Sequence, residues 1–135
     1  QIFHFHHRIK KAGKIMLEDD FFHITTLQTA GDTVKVLLKI NPAHAIFEGH
    51  FPGQPVVPGV CLMQMVKEIT EKVLGKETRL VKADQIKFLA VLIPAENQPL
   101  QMELKFRARE NSETGVDAQL ANETTVFFKF KGLFA

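Results

Sequence analysis

The sequence predicts an α+β domain in which an antiparallel sheet wraps around one central helix. Two observations predict it. From residue 20 onward most apolar residues recur with period two, the spacing of half-buried strands. One segment alone, PGVCLMQMVKEITEKVLG (58–75), breaks that pattern with helical spacing.

The strands are read in order. TVKVLLKI (33–40) places Val34, Val36, Leu38 and Ile40 on one face, and FFHITTLQT (21–29) is its partner across the Gly31-Asp32 turn. RLVKADQIKFLAVLI (79–93) is a longer strand region. Pro94 has no N–H to give a ladder, so that strand is expected to stop there. LQMELKFRAR (100–109) alternates Leu100, Met102, Leu104, Phe106 and Ala108 with Gln101, Glu103, Lys105, Arg107 and Arg109. Its apolar face covers a core and its charged face meets water. ENSETG (110–115) is a turn, VDAQLA alternates again, and TTVFFKFKGLF (124–134) is the last strand. The expectation is five or six strands.

In the helical segment Leu62, Val66, Ile69 and Val73 share one stripe, with Pro58-Gly59 at the start and Gly75 just past the end. Its first two turns are almost wholly apolar and are expected to be buried on all sides. Lys67, Glu71 and Lys72 are expected to bring the later turns to solvent.

Bulk properties exclude several classes. The chain has 135 residues, 45% of them hydrophobic and 24% charged, which suits one globular domain. A formal charge of +2 argues against a nucleic-acid partner, and no apolar run approaches the ~18–20 residues of a membrane span. The single Cys61 excludes an internal disulfide framework and fits a reducing, cytoplasmic setting. QIFHFHHRIKKAGK has no continuous apolar run before its lysines and does not read as a secretory signal. His4, His6 and His7 have no Cys, Asp or Glu beside them, so residues 1–15 read as an extension and 16–135 as a single domain.

The chemistry concentrates in GHFPGQPVVPGV (49–60), where three prolines and three glycines surround His50. Proline fixes φ and glycine permits φ > 0, so the stretch specifies a stiff, tightly turned loop leading into the helix. An imidazole with an ordinary pKa of ~6.5 suits a general base near neutral pH.

His50-Phe51-Pro52-Gly53, then Pro55, then Pro58-Gly59-Val60, resembles the motif of the 3-hydroxyacyl-acyl-carrier-protein dehydratases, which have the hotdog fold. The likeness runs from about Met16 to the C-terminus and includes DQIKFLAVLIP after the helix. It implies reversible dehydration of a (3R)-hydroxyacyl thioester to the trans-2-enoyl thioester in fatty acid or related acyl-chain synthesis. His50 would take the C2 proton, and the Gly59 N–H would polarise the thioester carbonyl at the helix N-terminus. Phe51, Pro52, Gly53, Pro58, Val60 and Phe88 would line the substrate site. No metal or organic cofactor is implied. The implied partners are an acyl thioester of acyl carrier protein or coenzyme A, the carrier protein itself, and a second copy in a homodimer or higher oligomer. Lys82 and Lys87 are candidates for meeting an acidic carrier.

One feature departs from the family. Its helix pattern is Glu-x-x-x-Gln, and here Gln64 holds the glutamate's place while Glu68 stands where the glutamine belongs. An amide holds a hydroxyl but releases no proton to it. Glu68, one turn away by ~6 Å, acts through a bridging water in one reading and is a solvated charge near Lys67 and Lys72 in the other. Two alternatives to dehydration follow: a thioester hydrolase in which Glu68 activates water, or a non-catalytic acyl- or carrier-binding protein. Cys61 reads as core packing before nucleophile, His44 as a turn or surface residue without an identifiable partner, and His23 as structural.

Overall fold

The computed structural model describes residues 10–11, 14–48 and 55–135, with side chains from residue 16 onward. His4, His6 and His7, together with His50, Phe51, Pro52 and Gly53, lie outside the described residues.

Two short strands, β1 (Lys10–Lys11) and β2 (Lys14–Ile15), pair with each other inside the expected extension. The main sheet has six antiparallel strands: β3 (Phe22–Ala30), β4 (Thr33–Ile40), β5 (Leu80–Phe88), β6 (Leu100–Ala108), β7 (Thr114–Ala121) and β8 (Val126–Phe134). Their spatial order is β3-β4-β6-β7-β8-β5. The helix α1 (Gly59–Leu74) lies between β4 and β5 in the chain. Gly75 ends it in the left-handed region at φ +70°, with its N–H donating to Glu71 O at 2.8 Å.

Register turns the period-two pattern into a core. Val36, Met102, Leu120 and Phe128 stand opposite one another across four strands, as do Val34, Leu104, Ala118 and Phe130. All eight are buried, and Cys61, Leu62, Met65, Val66 and Ile69 of α1 join the same cluster. Each large side chain removed from water in this way contributes roughly 1.5–3 kcal/mol. Within α1, the Thr70 hydroxyl is buried without a hydrogen-bond partner among the described residues. Among those residues no helix is long and apolar enough to cross a membrane.

Two expectations are corrected. β5 ends at Phe88, well before Pro94. The amides of Leu89 and Ala90 both turn to Phe127 O, and Leu92 O accepts from Val57 N at 2.8 Å, so the chain leaves the sheet to pass the start of α1. The helix is also not buried evenly. Val60 in its first turn is 49% exposed, while Glu68 and Glu71 in the later turns are buried. Glu71 goes inward because its carboxylate accepts from Thr78 N (2.7 Å) and Thr78 Oγ1 (3.3 Å) and pairs with Lys67 Nζ (3.2 Å).

Candidate active site

The site is built at the amino end of α1. Pro58 enters in an extended conformation and offers no side-chain cap, and the first turn carries no acidic residue. The amides of Gly59 and Val60 consequently have no hydrogen-bond acceptor among the described residues. They present partial positive charge at a helix terminus.

An apolar cavity of about 410 Å³ opens beside them, lined by Val56, Val57, Gly59, Leu62 and Phe88 and by residues 89–92. The Phe88 ring stacks on Phe128 with centroids 5.3 Å apart and lies over Gly59. A Cβ on Gly59 would stand 2.6 Å from Phe88 Cζ, closer than atoms can pack. The absent side chain is what lets the ring sit there. The structure therefore brings Gly59, expected to polarise the carbonyl, together with Phe88, expected to line the substrate site. Pro58 is half-buried beside them, and Val60 points toward solvent.

Gln64 and Glu68 form a separate group that does not line this cavity. The Glu68 carboxylate is only 2% exposed, which corrects the expectation of a solvated charge. Lys67 and Lys72 are engaged elsewhere, with Glu71 and Glu18 respectively. Glu68 Oε2 accepts from Leu17 N (2.6 Å) and Gln64 Nε2 (2.9 Å), and Oε1 accepts from Glu18 N (2.8 Å). The carboxylate joins the helix to the chain just before β3. Three donors satisfy it, and its burial ill suits it to relaying a proton through water.

His44 is also corrected, being buried and partnered. It caps a short 3-10 turn, Ala45–Phe47, by accepting from Ile46 N at Nδ1 (3.0 Å). A ring nitrogen that accepts carries no proton, so the proton of the neutral ring is on Nε2, which faces Asp20 Oδ2 at 3.5 Å. The ring meets Phe21 edge-on at 5.4 Å, and Phe21 packs on Phe47. The turn it braces leads directly into residues 49–54. His23 pairs with Asp19 in the open, and Cys61 is fully buried in the core.

A second cavity of about 400 Å³ lies on the outer face of the sheet, among Lys105, Asp117, Lys129 and Lys131. Arg107 donates to both oxygens of Asp117, at 3.0 and 3.1 Å. Those hydrogen bonds hold the Asp117 carboxyl below the usual carboxylate range and raise the Arg107 guanidinium further.

Sequence reasoning missed the cap at His44 and the lining role of residues 89–92. Histidine is not among the usual cap residues, and residues 89–92 carry strand-like composition without being paired in the sheet.

Comparison with known proteins identifies the fold and the family. The family model described as ApeI-like, ApeI dehydratase, matches residues 26–126. A 3-hydroxyacyl-[acyl-carrier-protein] dehydratase FabZ from Streptococcus equi subsp. zooepidemicus is 26% identical over 117 residues, which cover 77% of this chain and 82% of that protein. The FabZ of Lactobacillus helveticus is 30% identical over 88 residues, 60% of this chain, and the match spans 59% of that protein's length. Among solved structures, the dehydratase heterocomplex ApeI:P from Xenorhabdus doucetiae superposes with a TM-score of 0.69 at 20% identity, covering 82% of this chain and 96% of that one. A hypothetical thioesterase with coenzyme A from Streptococcus pneumoniae gives 0.61 at 13% identity, covering 88% and 90%. The structural likenesses establish the hotdog fold. The family match spans more than half of the sequence, and the chain belongs to the ApeI-like dehydratase family.

Proposed function

We propose that the chain is a hydro-lyase that interconverts (3R)-hydroxyacyl and trans-2-enoyl thioesters carried on an acyl carrier protein, in fatty acid or related acyl-chain synthesis in the cytoplasm. One observation carries the reading: in a chain of a dehydratase family, an apolar cavity of about 410 Å³ meets, at the side-chain-free Gly59, two helix amides that have no acceptor among the described residues. A thioester carbonyl directed at those amides gains stabilisation as negative charge develops on its oxygen. That raises the acidity of C2–H. His50, borne on the Pro/Gly loop, takes that proton as general base.

Gln64 cannot release a proton, so the leaving hydroxyl needs another source. The proton that His50 has removed from C2 is the one at hand. Breaking C2–H and C3–O, forming the C2–C3 double bond and returning that proton to the hydroxyl balances as loss of one water, with His50 regenerated. Phe51, Pro52, Gly53, Pro58 and Val60 shape the approach, and Phe88 closes the cavity over Gly59.

The hydrolase alternative relies on Glu68 to activate water, and a carboxylate buried under three donors is unsuited to that role.

The partner surface is read from β5. One edge of β5 pairs with β8, and it has no strand on its other edge among the described residues. Leu80, Val81, Ile86 and Phe88 are exposed along it, continued by Leu89, Val91 and Ile93. The opposite outer strand, β3, exposes mostly threonine and glutamine. An apolar free edge favours pairing with a second β5, which makes a homodimer. On the same strand Lys82 is paired with Asp84 at 3.3 Å, which leaves Lys87 as the better contact for an acidic carrier.

The test is a continuous assay of enoyl absorbance with 3-hydroxyacyl and enoyl thioesters. Turnover by the wild type that falls at least a hundredfold in His50→Ala supports the reading. Release of free thiol indicates hydrolysis instead, and tight binding without turnover indicates a non-catalytic binder.

A further inference from the structure

On the outer face of the sheet, away from α1, strand register gathers cations that the proposed reaction does not use. Pairing sets Lys105, Asp117 and Lys131 in one row across β6, β7 and β8. The neighbouring row runs Lys35, Glu103, Gln119, Lys129 and Lys87 from β4 to β5. Lys87 and Lys129 therefore stand directly opposite each other, a placement of like charges that costs stability in a sheet. The carboxylate between Lys105 and Lys131 is already taken, since Arg107 donates to both oxygens of Asp117. Glu103, the other carboxylate, stands opposite Lys35. Lys105, Lys129 and Lys131 have no ion pair or side-chain hydrogen bond among the described residues. All three line the cavity of about 400 Å³, together with Thr33, Gln85 and Gln119.

We propose that this cavity is an anion site for a small compound bearing two or more phosphate groups. Strands ~4.8 Å apart put the backbones of Lys105 and Lys131 ~10 Å from each other, and Lys129 follows ~7 Å from Lys131 along β8. Side chains of that reach close on adjacent phosphates from three sides, each with a charge-assisted hydrogen bond. Lysine binds phosphate as a point charge, and a phosphate carries more charge than a carboxylate, so phosphate is the better match. An anion held beside Lys129 also offsets the Lys87–Lys129 repulsion. Thr33, Gln85 and Gln119 add neutral hydrogen-bonding groups at the wall. Phe130 lines the cavity from the buried core and presents no free ring on which a base could stack. The lining offers no exposed apolar side chain to enter a bilayer, which disfavours a lipid surface. None of these residues lines the cavity at Gly59, so the site stands apart from the proposed reaction.

The experiment titrates inorganic pyrophosphate into the full chain at low ionic strength, read by calorimetry. One site with a Kd of about 1 mM or tighter is expected. Lys129→Gln combined with Lys131→Gln removes two charge-assisted donors and should weaken binding about tenfold or more. Lys76→Gln, at an exposed lysine beyond the end of α1, should leave it unchanged. Malonate, a dicarboxylate, should bind more weakly than pyrophosphate. Absence of binding by the wild type overturns the site, and so does equal weakening by Lys76→Gln, which would show an adventitious ionic attraction only. Malonate binding as tightly as pyrophosphate overturns the preference for phosphate. Thermal unfolding gives an independent reading. Saturating pyrophosphate should raise the Tm of the wild type and not of the double variant. Without the probe, Lys129→Gln alone should melt roughly 1–3 °C higher because it ends the opposition to Lys87. An unchanged or lower Tm would overturn the repulsion and with it the reason for an anion there. Binding to phosphatidylglycerol vesicles by a chain that ignores pyrophosphate would make the face a membrane contact. Loss of turnover confined to carrier-borne thioesters in the double variant, again without pyrophosphate binding, would make it a carrier contact. Either result overturns the small-anion site and leaves the dehydratase reading untouched, which fails only through absence of turnover in the wild type.

Discussion

Gly59 and Phe88 share one space: the ring occupies the volume that any side chain at position 59 would need, with a Cβ there only 2.6 Å from Cζ. Gly59→Ala should therefore destabilise the wild type by about 1–2 kcal/mol as the ring is displaced from Phe128. In a Phe88→Ala background the same change should be neutral or stabilising by up to ~1 kcal/mol, because alanine is the better helix former. Urea unfolding of the four proteins measures the coupling, and equal costs in both backgrounds would show that the ring is not the obstacle.

His44 should matter to the turn that leads toward His50. His44→Ala removes the acceptor for Ile46 N–H and is expected to cost about 1–2 kcal/mol. His44→Asn should recover most of it, since Asn41 Oδ1 already makes the same two-residue reach to Ala43 N at 3.0 Å. Thermal unfolding of both variants checks the order; an asparagine variant as unstable as the alanine one would mean that the ring contacts, not the cap, support the turn.

Thr70 offers the opposite sign. Its hydroxyl is fully buried and has no hydrogen-bond partner among the described residues, so it is desolvated without return. Thr70→Val keeps the β-branched shape and should raise stability by about 1 kcal/mol. A loss of stability in denaturant titration would mean that the hydroxyl finds a partner.

The Arg107–Asp117 pair sets an acid-side dependence. Because the folded carboxyl titrates below its unfolded value, the pair's contribution is complete above the ordinary carboxylate range and fades as pH falls through the lowered folded value, below about pH 4. Both side chains are about a third exposed or more, so the effect should be only about 0.2–1 kcal/mol. The stability difference between wild type and Asp117→Asn should be flat above pH 5 and shrink on acidification.

The edge of β5 that has no strand beside it among the described residues makes a fifth prediction. Ile86→Lys and Val81→Lys place charge on its apolar surface and should shift a dimer to monomer at micromolar concentration, read by light scattering. A wild-type protein that is itself monomeric there would remove β5 as an interface.

Much of this architecture was legible beforehand because period two and period 3.6 are set by backbone geometry. TVKVLLKI became β4 with the bounds the alternation implied, and the helix began at Gly59 and ended before Gly75. What escaped depended on contacts distant in sequence. Nothing around Glu68 shows that the amides of Leu17 and Glu18, some fifty residues earlier, will reach it. β5 outran its pairing in the sequence reading because 89–93 has strand composition, yet its hydrogen bonds go to Phe127 and Val57. At the site, Gly59 is named from the motif and Phe88 from the strand after the helix, but the ring's place over the glycine emerges only when the chain is folded.

The buried contact between positions 64 and 68 also constrains how such a helix can change by mutation. Exchanging the two side chains takes two substitutions, and each order crosses an uneven intermediate. With two carboxylates in that contact, one must stay protonated to donate to the other. With two amides, the backbone N–H groups of Leu17 and Glu18 are left with a weaker, neutral acceptor, and the anchorage of the segment before β3 loosens.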